Sequence, residues 1–159
     1  MIANQITPSE LETQLNLEVN SKSGRLFTPS DDVWSLDETS RERLYVSKSA
    51  EVVPTELRLY YRLALSRYAQ THAPDTVKGV VATMLMCNNL VDRRVNILNE
   101  EDFLILKAKM SAVQEYKMAI IRGFLKYWIY EARIFGPSLG YIKTLEKLRI
   151  KGNVQRQLG

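Results

Sequence analysis

From Pro54 onward, apolar side chains recur at steps of three and four, the spacing of helices rather than strands. The densest stretch is Ser111 to Phe135, 25 residues with one Gly and no Pro. It is too long for a strand and fits a helix. Val113, Tyr116, Ile120, Phe124 and Tyr127 form one apolar line, and Ile121, Leu125, Trp128 and Ala132 a second beside it. Two adjacent lines make a face wider than one stripe, which predicts a helix buried against several neighbours at the centre of the fold. The polar remainder is a narrow line, Arg122, Lys126, Tyr130 and Arg133.

Three helices are expected before it and one after. Pro54, a good first-turn residue, opens a helix to about His72, with Leu57, Tyr60 or Tyr61, Ala64, Leu65 and Tyr68 inward and Arg58 and Arg62 on another face. Ala73-Pro74 ends it. Asp75 is expected to cap the second helix, TVKGVVATMLMCNN, with Val77, Val80, Val81, Met84 and Leu85 inward. Asn99 caps the third, EEDFLILKAKM, whose acidic first turn suits the helix dipole. Gly136-Pro137 stops the long helix, and Ser138 to Arg149 forms a shorter last one.

The first third has a different texture. Residues 1–24 are polar and expected to be a mobile leader, with a short frayed helix capped by Ser9 and Glu12 in capping-box position. In residues 25–53 apolar positions are separated by turn residues such as Thr28-Pro29-Ser30. DVWSLDE and RLYVS are candidate strands of a two-stranded ribbon, with Trp34 anchoring the segment to the helical core. The expected fold class is therefore all-α: a helical domain over 54–150, a partly extended segment over 25–53, and a stub at 151–159.

Charge divides the chain. Residues 1–53 hold five Lys or Arg against nine Asp or Glu, a net of −4; residues 54–159 hold 17 against nine, a net of +8. An acidic leader thus precedes a strongly basic remainder. Met1 to Leu15 is polar and lacks the apolar core of a signal peptide, and no apolar run reaches the roughly 18 residues of a membrane span. The expectation is a soluble, cytoplasmic protein with no membrane partner. The single cysteine, Cys87, excludes an internal disulfide and reads as an inert core thiol.

Candidate catalytic chemistry is sparse. His72 is the only histidine, which leaves no second base for a triad and no histidine cluster for a metal; it reads as a surface residue or mild C-terminal cap. The carboxylates of Glu100, Glu101 and Asp102 read as first-turn groups. Gly79 and Gly123 are lone helix glycines, attributed to close helix packing, and no phosphate-binding loop is present. No cofactor is expected. Nucleic-acid binding has more behind it, because basic residues on helices can follow a phosphate backbone. Arg122, Lys126 and Arg133 make one line, Lys143, Lys147 and Lys151 another, with Arg58, Arg62 and Lys78 besides. Short polar groups and a Lys or Gln at the helix starts, Asp75 to Lys78 and Ser111 to Gln114, suit groove entry as well as capping.

The order of these pieces resembles the core-binding domain of tyrosine recombinases, the phage-type integrases. In that family two helices start with Thr-Val or a similar pair, and the last carries a leucine-arginine-x-phenylalanine-like pattern before an aromatic. Thr76-Val77 matches the first; Ile121-Arg122-Gly123-Phe124-Leu125 with Trp128 matches the second. FTPSDDVWSL and LRIKGN also resemble a subgroup carried by mobile elements, in which a Gly-Asn linker leads to the catalytic domain. The likeness covers residues 26 to 153. It implies a SAM-like four-helix bundle with an extra C-terminal helix, acting as half of a clamp on recombination-site duplex DNA alongside other protomers. Strand cleavage would lie in a separate domain, so this fragment would bind DNA without being an enzyme. Carried over by position, the DNA contacts fall on Thr76, Lys78, Gln114 and Lys117. Arg122 stands at the family's arginine position, either on phosphate or packed internally, with Lys126 and Arg133 as a backbone track. Ala112-Val113 stands where the family has its second Thr-Ile pair. The alternative is a helical protein-interaction module that docks through the acidic leader or through aromatics near Trp128.

Overall fold

The structure is a computed structural model that describes residues 6–38, 42–111 and 114–150. It is mainly α, with two small antiparallel ribbons. Of the leader, residues 6–24 lie against the body. Helix α1 (Pro8–Leu15) is capped by Thr7, not Ser9: Thr7 Oγ1 accepts from the Glu10 amide at 3.2 Å, and Pro8 takes the first helical position. Leu11 and Leu15 are buried, and α1 packs on α3 (Arg58–Thr71). Strands β1 (Val19–Asn20) and β2 (Leu26–Phe27) pair through a turn at Gly24, whose φ of 92° suits glycine. The Lys22 amide donates to the Ala69 carbonyl, and the Ser21 and Ser23 hydroxyls donate to the Leu36 carbonyl.

The ribbon expected around Trp34 is present as β3 (Val33–Trp34) and β4 (Leu44–Tyr45), in register Val33↔Tyr45 and Trp34↔Leu44. Trp34 is buried, with the Phe27 ring 4.8 Å away. The segment after β4 turns helical at once, as α2 (Val46–Ser49) and a 3-10 turn (Ala50–Val52). The Ser49 hydroxyl and Tyr61 phenol hydrogen-bond at 2.6 Å in the core, and burial pushes the Tyr61 phenol far above its ordinary pKa.

Five helices form most of the rest of the described residues. Pro54 leads into a 3-10 turn (Thr55–Leu57), so α3 proper begins at Arg58, one turn later than expected. In α4 (Pro74–Leu90) the N-cap is Ala73 and Pro74 is the first helical residue, which corrects the expected Asp75 cap. Extended backbone is what a residue before proline adopts, and Asp75 is left in the first turn, where the dipole still favours it. Helix α5 (Glu100–Lys109) is capped as expected, Asn99 Oδ1 accepting from the Glu101 and Asp102 amides. Asp102 is more than a first-turn acid. Burial pushes its carboxyl up, but hydrogen bonds from Arg93 and the Asn96 amide, and the charge of Arg93, outweigh this and hold it below the usual carboxylate range.

The central stretch is not one helix. Residues 112 and 113 lie outside the described residues, Gln114 and Glu115 form a turn, and α6 runs Tyr116–Tyr127. A π-helical turn follows over Trp128–Ala132, ended by Arg133 in the left-handed region at φ 53°. The Arg133 amide reaches back five residues to the Trp128 carbonyl. Helix α6 is nonetheless central, packing against α3, α4 and α7 (Leu139–Lys147). Met118, Ile121, Phe124, Leu125 and Trp128 are fully buried, and Tyr61 meets Phe124 edge-on at 5.8 Å. Of the two helix glycines, Gly123 has open space where a Cβ would sit, so close packing does not explain it; a Cβ on Gly79 would make ordinary contact with Ile120 at 3.8 Å. Among the described residues no helix is long and apolar enough to cross a membrane.

Candidate nucleic-acid interface

Within α4's first turn Val77 is buried while Asp75, Thr76 and Lys78 face solvent. Lys117 sits half-buried in α6's first turn. Gly79 faces Ile120, while the ring of His72, just before α4, lies 5.5 Å from that of Tyr127 at the end of α6. The two helices therefore pass in opposite senses, and their first turns, with Thr76 and Lys78 on one and Lys117 on the other, lie on opposite sides of that contact. Gln114 precedes the helix rather than opening it. Its Oε1 accepts from the Ser111 amide at 3.3 Å and the Ser111 hydroxyl at 3.2 Å, so its carbonyl closes the turn. Lys107 of α5 pairs with Glu115 at 3.2 Å beside it.

Lys78 also has a partner. Its ammonium donates to Glu42 Oε1 at 2.7 Å, and this hydrogen bond, with the charges of Glu42 and Asp75, raises its pKa. Glu42 and Asp37, from the segment between β3 and β4, share a small open cleft with Pro74, Asp75 and Lys78.

The basic line along the long helix is an interhelical seam. Arg122 Nη1 donates to the Leu145 carbonyl at 3.2 Å and the Leu148 carbonyl at 2.7 Å, capping the end of α7. Cationic donors are favoured there, where the last carbonyls lack intrahelical partners. Lys126 lies 3.9 Å from Glu146, and the Tyr130 hydroxyl donates to the same carboxylate at 3.2 Å. Arg133 is exposed, its Nε donating to the Tyr130 carbonyl. Of the two choices for Arg122, internal packing is the one its hydrogen bonds describe. Arg122→Met, which keeps the apolar stem, is expected to cost about 1–3 kcal/mol of stability, the range for hydrogen bonds to a charged group. Urea denaturation measures it. Unchanged stability with weakened DNA binding would assign Arg122 to phosphate instead.

Other arginines counted toward a basic surface are also structural. Arg62 donates to the Pro29 and Asp31 carbonyls and to the Ser47 hydroxyl, pinning the β3–β4 ribbon. Arg58 donates to the Val53 and Glu51 carbonyls, and Arg67 to Ala132 and Gln14. Helical spacing had no way to find these partners, which lie outside α3, five to seven residues away for Arg58 and 15 to 65 for Arg62 and Arg67. Lys143 and Lys147 are exposed on α7; Lys151 lies outside the described residues, as does the stub at 151–159.

His72 is the C-cap residue of α3, its ring stacked 3.8 Å from that of Tyr68 and edge-on to Tyr127. Cys87 is buried, and burial pushes its thiol up to about 12, which suppresses the thiolate. Among the described residues no three His, Cys, Asp or Glu side chains gather as a metal site requires. No family model matches the chain, and no curated protein or solved structure matches it.

Proposed function

We propose that the chain is a duplex-DNA-binding helical module, the core-binding fragment of a site-specific tyrosine recombinase, gripping recombination-site DNA as half of a clamp and leaving cleavage to other parts. The observation that carries this reading is the solvent-facing first turn of α4, on which Thr76 and Lys78 stand beside the amides of the helix start. Backbone amides at such starts favour phosphate oxygens, and short polar and cationic side chains reach both phosphate and base edges. The net +8 of residues 54–159 supplies the long-range attraction. In this reading α3 to α6 correspond to the SAM-like four-helix unit, with α7 added, and the module works in the cytoplasm with other protomers on the same DNA. Lys126 and Arg133 remain a flanking backbone track.

The test is binding of a labelled duplex followed by anisotropy across a salt series. Each neutralised phosphate releases counterions, so log K should fall with log salt by about 0.9 per contact. Three or four contacts give a slope of roughly −3. Salt-independent binding, or none at low salt, would reject the reading.

A second reading, a protein-interaction module, is favoured by a different surface. An open groove of about 230 Å³ runs between β4 and α4, its apolar part made by Tyr45, Val81, Ala82 and Leu85. Val33, opposite Tyr45 in the ribbon, is also exposed. Of the aromatics in the region of Trp128, where docking was expected, Trp128 itself is fully buried while Tyr130 and Phe135 are exposed. Self-association without DNA would favour this second reading.

A further inference from the structure

The cation best placed to meet phosphate at the start of α4 is already occupied. Lys78, in the basic remainder of the chain, reaches Glu42 of the acidic first third at 2.7 Å, across 36 positions of sequence. Asp37 of the same segment and Asp75 of α4 line the cleft beside the pair. The carboxylate therefore stands beside the first turn of α4, at the positive end of the helix dipole, where an incoming phosphate would stand.

Two features mark this contact as displaceable. Both side chains are about half exposed, 47% for Lys78 and 54% for Glu42, so water and a competing anion reach them. An exposed pair of this kind is weak and exchanges readily. The segment that carries Glu42 is also held without it. Trp34 is buried beneath β3, Val33 and Tyr45 pair across the ribbon, and Arg62 ties Pro29, Asp31 and Ser47 together. Release of Glu42 thus leaves the ribbon in place, and the contact is not needed to hold the fold.

We propose that Glu42 is an intramolecular stand-in for phosphate, which occupies Lys78 in the free protein and is displaced when a polyanion binds. The N-terminal segment then sets the affinity of the helical face. Binding has to exchange one carboxylate contact for one phosphate contact, which weakens it and sharpens its dependence on the density of negative charge in the ligand. The role assigned to DNA rests on the proposed function; the competition itself requires only a polyanion.

The experiment compares the wild-type chain with Glu42→Gln, Lys78→Gln and the double variant on a labelled 30-bp duplex at about 0.1 M salt, the screening regime of physiological buffers, and on immobilised heparin. Glu38→Gln removes a charge from the same exposed segment without touching Lys78 and serves as the control. Glu42→Gln is expected to tighten duplex binding about two- to fivefold, the range spanned by an exposed ion pair. It should also elute later from heparin. The gain should vanish when Lys78 is Gln, because the two sites couple, and should exceed that of Glu38→Gln. Equal gains with Lys78 present or absent would overturn the proposal in favour of a general charge effect, as would no gain. Coupling seen on heparin with no binding to duplex would sustain the competition and reject the DNA reading. Failure to bind either ligand would overturn both. Thermal melting of each variant checks that the fold is unchanged.

Discussion

Gly136→Ala is expected to destabilise the fold by about 2–4 kcal/mol, overpacking together with loss of a buried hydrogen bond. A Cβ at this position would lie inside the contact envelope of Trp128 Nε1 and Cε2, and at 2.9 Å from Cζ2. The indole has no room to retreat. It is fully buried, its Nε1 donates to the Phe135 carbonyl at 3.1 Å, and its ring lies against Tyr61 and Phe124. The chain must pass over this ring because the π-helical turn and the left-handed Arg133 reverse its direction there. Gly123→Ala is the internal control. Nothing lies within 4 Å of its added methyl, and in an exposed helix interior the exchange should stabilise by about 0.5–1 kcal/mol. Chemical denaturation of both variants measures the difference. Equal stabilities would mean that the Trp128 packing is softer than the geometry describes.

These two glycines also mark what a sequence can carry. Gly136 reads only as a helix stop beside Pro137, and its close approach depends on Trp128 turning under it through a π-turn whose hydrogen bonds leave no periodic trace. Helices α3, α4, α5 and α7 and the Trp34 ribbon were legible, because each has its own apolar repeat, cap or turn residues within a few positions. The break before α6 was only partly so: a bend near Ser111 was expected between the third and the long helix, but Val113 continues the apolar line of Tyr116 and Ile120, so the helix was read from Ser111 rather than from Tyr116. The contacts of α1 were illegible for a related reason. Only two leucines of α1 are buried, Leu11 and Leu15, so its pattern is faint, and its fixation comes from α3 and from the Lys22–Ala69 hydrogen bond. Charge was the least legible. Arg58, Arg62 and Arg122 looked like surface cations and are spent on backbone carbonyls. Spacing on one helix says which way a side chain leaves the axis, and not what docks there. For the candidate site, Thr76 and Lys78 were legible from the start of α4, whereas Glu42 becomes the partner of Lys78 only through tertiary packing.

Replacing Lys78 and Lys117 together with Ala should weaken duplex binding on the order of 50-fold at 0.1 M salt, the product of two lost phosphate contacts of about 0.9 each in the salt exponent. The same arithmetic makes the loss only about three- to fourfold at 0.5 M salt, and the salt slope should become shallower by roughly 2. This pattern separates the site from a diffuse electrostatic surface. If attraction came only from the net charge of the basic half, removing any two exposed lysines, such as Lys143 and Lys147 of α7, would shift affinity and slope equally. Contacts made at the two helix starts instead give a larger loss for Lys78 and Lys117 than for the α7 pair. The substitutions fall on exposed and half-exposed positions outside the core, so melting temperature should move little. A double variant that keeps wild-type affinity and slope would remove the first turns of α4 and α6 as DNA contacts. The interaction face would then have to be sought elsewhere, beginning with the groove beside Tyr45.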